Sequence, residues 1–99
     1  MHFSSDSHYP AIEKEAIANM HFPKGEVLTA NTAIQARMQA LTEACRLGNE
    51  FKGKTRIVFM SEQGIREVNT TIWNVSEDAV SLKAGVFIPM HAIMYVEHS

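Results

Sequence analysis

The chain has 99 residues, of which 45% are hydrophobic and 20% charged; this length suits one domain that buries roughly two thirds of its unfolded surface without metals or disulfides. The formal net charge of −2 argues against a general polyanion binder, which is usually visibly basic. The single cysteine excludes an intrachain disulfide, and neither a signal sequence nor a long apolar run is recognisable, so we predict a cytoplasmic protein with no membrane association.

Residues 1–28 are predicted to form a tail with one short helix. Residues 1–8 are polar and rich in Ser and His, which is typical of a frayed end. A helix over residues 10–20 could begin at its proline and would place four apolar residues on one side: Ile12, Ala16, Ile17 and Met20. Residues 21–25 contain Pro and Gly and break the pattern, so the domain itself is predicted over residues 29–99.

The next segment predicts a helix over residues 32–47. Thr32 and Gln35 fit a capping box at its start, and Gly48 with Asn49 predicts its end. Apolar residues recur at three- and four-residue spacing and form one stripe: Ile34, Met38, Leu41, Ala44 and Cys45. A stripe of this kind must pack against another part of the protein.

The second half of the chain predicts five short strands. Its runs are rich in β-branched and aromatic residues and are separated by turn signals such as Gly64, which is free to take a positive φ, and Ala84-Gly85. The predicted strands cover residues 54–60, 65–75, 79–83, 86–88 and 93–97. Pro89 ends the fourth strand because it has no N–H for a sheet ladder, and one helical turn then leads to the fifth.

The second strand is unusually long, and its alternation of apolar and polar residues slips once between Val68 and Trp73. A bulge or sharp bend near Thr70-Thr71 would reconcile the two halves. A bent strand followed by a tight hairpin and a one-turn break is typical of a small barrel. The sequence therefore predicts an α+β domain: an N-terminal helix, or two, followed by a five-stranded antiparallel barrel over residues 54–97. The alternative is an open sheet of the same strands packed on the helix.

The order of these segments resembles an SH3-like or Sm-like barrel. The sequence Ile88-Pro89-Met90-His91-Ala92-Ile93, after a helix and a strand pair, also resembles the small bacterial Rho-binding antiterminator family. This resemblance spans roughly residues 30–97 and implies a role in transcription regulation. The Gly-plus-Asp signature of eukaryotic-type Sm strands and the Lys-His pair of the bacterial RNA-chaperone branch are both absent, so neither RNA site can be carried over.

The first strand carries apolar residues on both faces. Ile57 and Phe59 would point to one side, and Val58 and Met60 to the other. One set can fill the barrel, and the other needs the helix or a second subunit to cover it. We therefore predict a protein partner or self-association, with homodimerisation as the second choice after packing of the helix.

No catalytic or metal-binding motif is recognisable. The five histidines lack the short spacing of zinc ligands, and Cys45 lies on the apolar stripe of the helix, where a cysteine behaves as a small hydrophobe. A nucleophile elbow and a Gly-rich phosphate loop are also missing. The sequence thus predicts a non-catalytic binding or regulatory module without a cofactor.

Trp73, Phe87 and His91 are the uncharged candidates for a binding site. The simpler prediction for Trp73 is a place in the core beneath the helix. If Ile72 points inward, however, Trp73 points outward and could form a binding patch with Phe87 or Tyr95. His91 lies in the turn before the last strand, where a histidine is more often a surface residue or a hydrogen-bonded turn residue than a ligand.

Binding of single-stranded nucleic acid is the alternative function. Arg56, Arg66 and Lys83 would contact phosphates, while Trp73 or Phe87 would stack on bases. The charge pattern gives this alternative little support, because residues 52–99 carry five basic and five acidic side chains and are neutral overall. For Arg56 the simpler prediction is a solvated position at the start of a strand.

Overall fold

The computed structural model describes residues 9–51, 53–83 and 85–98; the tail predicted over residues 1–8 lies outside them. The fold is α+β, with one long helix and two small antiparallel sheets of three strands each. A short helix and a 3₁₀ turn complete it. In chain order the elements are α1 Lys14–Ile17, α2 Asn31–Phe51, β1 Thr55–Ser61, β2 Gly64–Thr70, β3 Ile72–Val75, β4 Ala79–Leu82, β5 Val86–Pro89, the turn Met90–Ala92 and β6 Ile93–His98.

Helix α2 confirms the predicted helix but continues beyond the predicted end at Gly48. Gly48 is buried inside the helix, and a Cβ added there would meet Cγ2 of Thr71 at 3.4 Å. Gly48 therefore lies where α2 contacts the chain between β2 and β3, at a distance that a Cβ atom would also allow. A glycine inside a helix gives the same sequence signal as one that ends it.

The first sheet has the order β2-β1-β6, and both strand pairs are antiparallel. Strands β1 and β2 form the hairpin predicted around Gly64, whose φ is +117°, a value that favours glycine. Strand β6 returns along the other side of β1 and ends the sheet among the described residues. The second sheet has the order β3-β4-β5.

The prediction of five strands in one closed barrel requires correction. The long second strand is interrupted at Thr71, close to the predicted bend, so it divides into β2 in the first sheet and β3 in the second. The turn Met90–Ala92 then separates β5 from β6 and directs them into different sheets. The described residues thus form six strands in two sheets, and strand pairing does not close them into a barrel.

The segment before α2 packs against the rest of the domain. Ala11 forms a parallel bridge with Glu67, so that the chain near residue 11 runs along the outer side of β2. The short helix α1 is one turn long, where a helix over residues 10–20 was predicted, yet its Ile17 is only 2% exposed and lies in the core cluster. Met20 and Phe22 pack against the same cluster.

The core lies between the two sheets, α1 and α2. Its fully buried members come from every strand, and the largest of them is Phe59, whose ring lies 5.9 Å from that of Phe22. The opposite face of β1 is also largely covered, since Val58 is completely buried and Met60 is partly buried. Burial of this apolar surface is the main contribution to the stability of the fold.

Candidate binding surfaces

Trp73 points outward because side chains alternate along β3 and Ile72 points inward; a break in strand register follows it. Ile72 pairs with Leu82 and Asn74 pairs with Ser81, so two residues of β3 oppose one residue of β4. An irregularity of this kind is a β-bulge, which changes the direction of the side chains that follow. Ile72 is completely buried, whereas Trp73 is 54% exposed. The simpler prediction, that Trp73 lies in the core beneath the helix, is therefore wrong.

Phe87 lies on the same outer side of the second sheet. It pairs with Ser81, while its neighbours Val86 and Ile88 are buried on the inner side. Among the described residues, Trp73 and Phe87, the latter 59% exposed, are the large hydrophobic side chains left exposed. We call the surface formed by Trp73, Ser81 and Phe87 the aromatic face.

The three cations predicted to contact phosphates do not form a common surface. Arg56 is buried, and its Nε and Nη2 donate to the two carboxylate oxygens of Glu67 at 3.2 and 3.0 Å. These hydrogen bonds raise the pKa of Arg56 above its usual value, against the opposing effect of burial. Arg66 donates to the backbone carbonyls of Ile65 and Gln63. The prediction of a solvated Arg56 is thus wrong, and of the three only Lys83 is exposed.

His91 connects the last turn to the segment before α2. Its Nε2 lies 2.6 Å from the carbonyl oxygen of Pro23, and its own carbonyl accepts a hydrogen bond from the N–H of Val27. These contacts agree with its predicted role as a hydrogen-bonded turn residue. Among the described residues, His, Cys, Asp and Glu side chains do not form a group of three or more that could hold a metal ion.

A groove lies between the N-terminal half of α2 and strand β6. Its volume is about 780 Å³, and it is lined by small residues of the helix, Ala33, Ala36 and Ala40, and by residues 94–96 of β6. The chain at residues 27–30, Arg37 and Met60 of β1 complete the wall. The groove was not predicted from the sequence, although one pattern indicates it. Three alanines at three- and four-residue spacing form one side of the helix, and their small side chains cannot fill the space beside it.

Arg37 is the charged residue of this wall and is paired with Glu26. Its Nη1 and Nη2 each donate to one carboxylate oxygen of Glu26 at 2.6 Å, and Nη1 also donates to the carbonyl of Ile93 at 3.0 Å. Arg37 is 6% exposed, and its Nε has no hydrogen-bond partner among the described residues. The hydrogen bonds from Arg37 hold the pKa of Glu26 below its ordinary value of 4.5, against a smaller effect of burial.

The Glu26–Arg37 pair predicts a loss of stability in acid. Because the folded state lowers the pKa of Glu26, its contribution is complete above pH 4.5 and is lost as the pH falls through the lowered value. We expect Glu26→Gln to be less stable than the natural protein at pH 7, and the difference in stability to shrink as the pH falls below 4.5. Urea unfolding at pH 7 and at a series of pH values below 4.5 would measure it. Glu77→Gln, at an exposed position, is the control. The prediction would be contradicted if the stability difference between Glu26→Gln and the natural protein did not change with pH.

Cys45 is partly buried against the core, as predicted for a cysteine on the apolar stripe of the helix. Within residues 9–51, 53–83 and 85–98, no helix combines the length and the apolar character needed to cross a membrane.

Comparison of the chain with known protein families, with curated proteins and with solved structures found no match. The function of the protein must therefore be inferred from its own residues and their contacts.

Proposed function

We propose that the protein is a small non-catalytic, cytoplasmic binding module that acts through contact with another protein, and that the aromatic face is its contact surface. The observation that supports this is the exposure of Trp73 and Phe87 on one side of the same sheet, at 54% and 59%. Tryptophan and other aromatic side chains are enriched at protein interfaces and supply much of their binding energy.

The geometry of the aromatic face favours a partner with a protruding apolar side chain. Trp73 belongs to β3 and Phe87 to β5, and β4 lies between them with the small side chain of Ser81. Two strand spacings separate the aromatic strands by about 9.5 Å. A leucine, methionine or proline of the partner would fit above Ser81, beside the ring of Phe87 on β5. The ring of Trp73 lies diagonally across on β3, one residue before Asn74, which pairs with Ser81. We therefore propose an extended apolar segment of another protein as the partner.

We further propose that the fold is a variant of the SH3-like and Sm-like barrels, opened into two sheets. Three features support this relationship: β1 lies between β2 and β6, the predicted second strand divides at Thr71, and a single turn precedes β6. A role in transcription regulation, implied by the resemblance to the antiterminator family, is part of the same proposal.

Binding of single-stranded RNA remains the second candidate, because Trp73 and Phe87 could stack on bases and Lys83 is exposed. The ion pair of Arg56 with Glu67 weakens this candidate, since Arg56 is occupied inside the protein. An RNA-binding protein would show affinity that falls steeply with salt. Titration with a fluorescent single-stranded RNA at two salt concentrations separates the two functions.

Selection from a phage-displayed library of random short peptides tests the protein-contact function. We expect selected peptides to share an apolar side chain, and both Trp73→Ala and Phe87→Ala to weaken their binding at least about tenfold. Ser81→Leu should weaken it similarly, because the larger side chain fills the space between the rings while leaving both in place. Glu77→Ala, exposed and outside the aromatic face, is the control. Selected peptides that bind all three variants as well as the natural protein would refute the proposed surface.

A further inference from the structure

The outer side of the second sheet has two unlike halves. Side chains of β4 and β5 alternate between the core and this outer side, and the residues on the core side are Val80, Leu82, Val86 and Ile88. On the outer side Ser81 pairs with Phe87, and Ala79 pairs with Pro89 farther along the strands. Trp73 lies in the half that contains Phe87, because the residue after it in β3 pairs with Ser81. One half therefore carries two exposed rings, and the other carries the small side chains of Ala79 and Pro89.

The two ends of this surface carry opposite charges. Asp78 directly precedes β4, at the end next to Ala79, and Glu77 adds a second negative charge there. Lys83 directly follows β4, at the end next to the rings. All three charged side chains are exposed, and the ion pairs among the described residues include none of them. An extended strand places Asp78 and Lys83 about 17 Å apart.

A surface with this arrangement is complementary to a second copy of itself. Half a turn of that copy, about an axis that lies in the contact plane and crosses the strands, makes the two sheets face each other with antiparallel strands. The rings of each copy then lie over Ala79 and Pro89 of the other, and each Lys83 lies near Asp78 of the other copy. Both contacts occur twice because the interface is symmetric. Half a turn about an axis along the strands would instead bring like charges together, which is unfavourable.

We propose that the outer side of the second sheet binds the same side of a second copy of the chain, with the strands of the two copies antiparallel. Stacked sheets lie about 10 Å apart, a space that a ring above a small side chain can fill. The surface is only about 9.5 Å wide between its outer strands and about 17 Å long, so the contact belongs to the weak class that buries less than about 1,200 Å² in total. This contact covers Trp73 and Phe87 until a partner displaces it; for that displacement the inference rests on the proposed function.

Charge exchange at the two ends tests the arrangement of the dimer. Sedimentation velocity should show a monomer–dimer equilibrium that is weakened by salt. Lys83→Glu and Asp78→Lys should each weaken dimerisation at least about tenfold, because like charges then meet at both ends of the interface. An equal mixture of the two variants should dimerise as well as the natural protein, because opposite charges meet again at both ends of the mixed dimer. Glu62→Lys, in the exposed turn of the first sheet, is the control and should leave dimerisation unchanged.

These variants should keep the fold and the aromatic face. Both replaced side chains are exposed, and Asp78 takes part in the described hydrogen bonds through its backbone N–H and carbonyl. The far-UV circular dichroism spectrum checks the fold of each variant. Peptides that bind the aromatic face should convert the dimer of the natural protein to monomers, and Lys83→Glu should bind these peptides at least as tightly as the natural protein does.

The outcomes separate this inference from the proposed function. A protein that stays monomeric at all concentrations but binds selected peptides through Trp73 would overturn the self-contact and leave the proposed function intact. A dimer that is insensitive to Lys83→Glu and Asp78→Lys, or that the mixture of variants does not restore, would also overturn it. Dimerisation that responds to both charge variants, in a protein for which no peptide can be selected, would support the self-contact and refute the proposed function.

Discussion

Replacing Phe59 with alanine is expected to lower the free energy of unfolding by about 3–5 kcal/mol. Phe59 is completely buried at the centre of the core and contacts the ring of Phe22, so the substitution removes a large apolar side chain and leaves a cavity. A domain of this size is usually stable by only about 5–15 kcal/mol. The variant should therefore unfold at a much lower urea concentration, as measured by far-UV circular dichroism.

Phe87→Ala is the matched control for this experiment. The same atoms are removed, but Phe87 is 59% exposed, so its loss should change the free energy of unfolding by no more than about 0.5 kcal/mol. A similar cost for the two substitutions would contradict the described packing. It would mean that Phe87 is buried, and the proposed contact surface would then fail as well.

The second large effect is expected for Glu67→Ala, at about 3–5 kcal/mol of destabilisation. This substitution leaves the buried guanidinium of Arg56 without its bidentate partner, and it also removes the acceptor of the N–H of Tyr9. Glu97, whose Oε1 lies 3.9 Å from Nη1 of Arg56, is too distant to replace both hydrogen bonds. Thermal and urea unfolding of the variant would measure the loss.

Glu43→Ala provides the comparison, because Glu43 also forms a bidentate pair with an arginine, Arg46, but at the surface. The two side chains are 57% and 52% exposed, and a pair in that environment contributes little. The double variant Arg56→Met/Glu67→Leu should recover much of the loss caused by Glu67→Ala, since it removes the buried charge that has lost its bidentate partner. Equal stability of Glu67→Ala and Glu43→Ala would show that Arg56 is solvated.

Local patterns in the sequence predicted the helix and most strands well. The stripe from Ile34 to Cys45 has the period of a helix, and α2 contains it; the runs that became β1 and β6 were placed within one residue at each end. Pro89 ends β5 and a single turn follows, as predicted. These features depend on residues close together in the sequence, so a local sequence pattern can predict them.

Features that depend on residues far apart in the chain were predicted less well. The burial of Arg56 depends on Glu67, which the register of β1 and β2 brings next to it. The burial of Ile72, which leaves Trp73 on the outer side of β3, depends on packing against the core, and the contact of Gly48 with Thr71 joins two segments that are distant in the sequence. Such contacts depend on tertiary packing, which a local sequence pattern does not predict.

The bridge between Ala11 and Glu67 has a consequence for the order in which the protein forms. Tyr9 donates its N–H to the carboxylate of Glu67, 58 positions later in the sequence. During synthesis on the ribosome, the segment around Tyr9 emerges long before β2 exists, and it cannot pair until the hairpin of β1 and β2 has been made. Contacts of such long sequence separation slow folding because a large loop must close first. We therefore expect docking of this segment to be a late step in the maturation of the nascent chain.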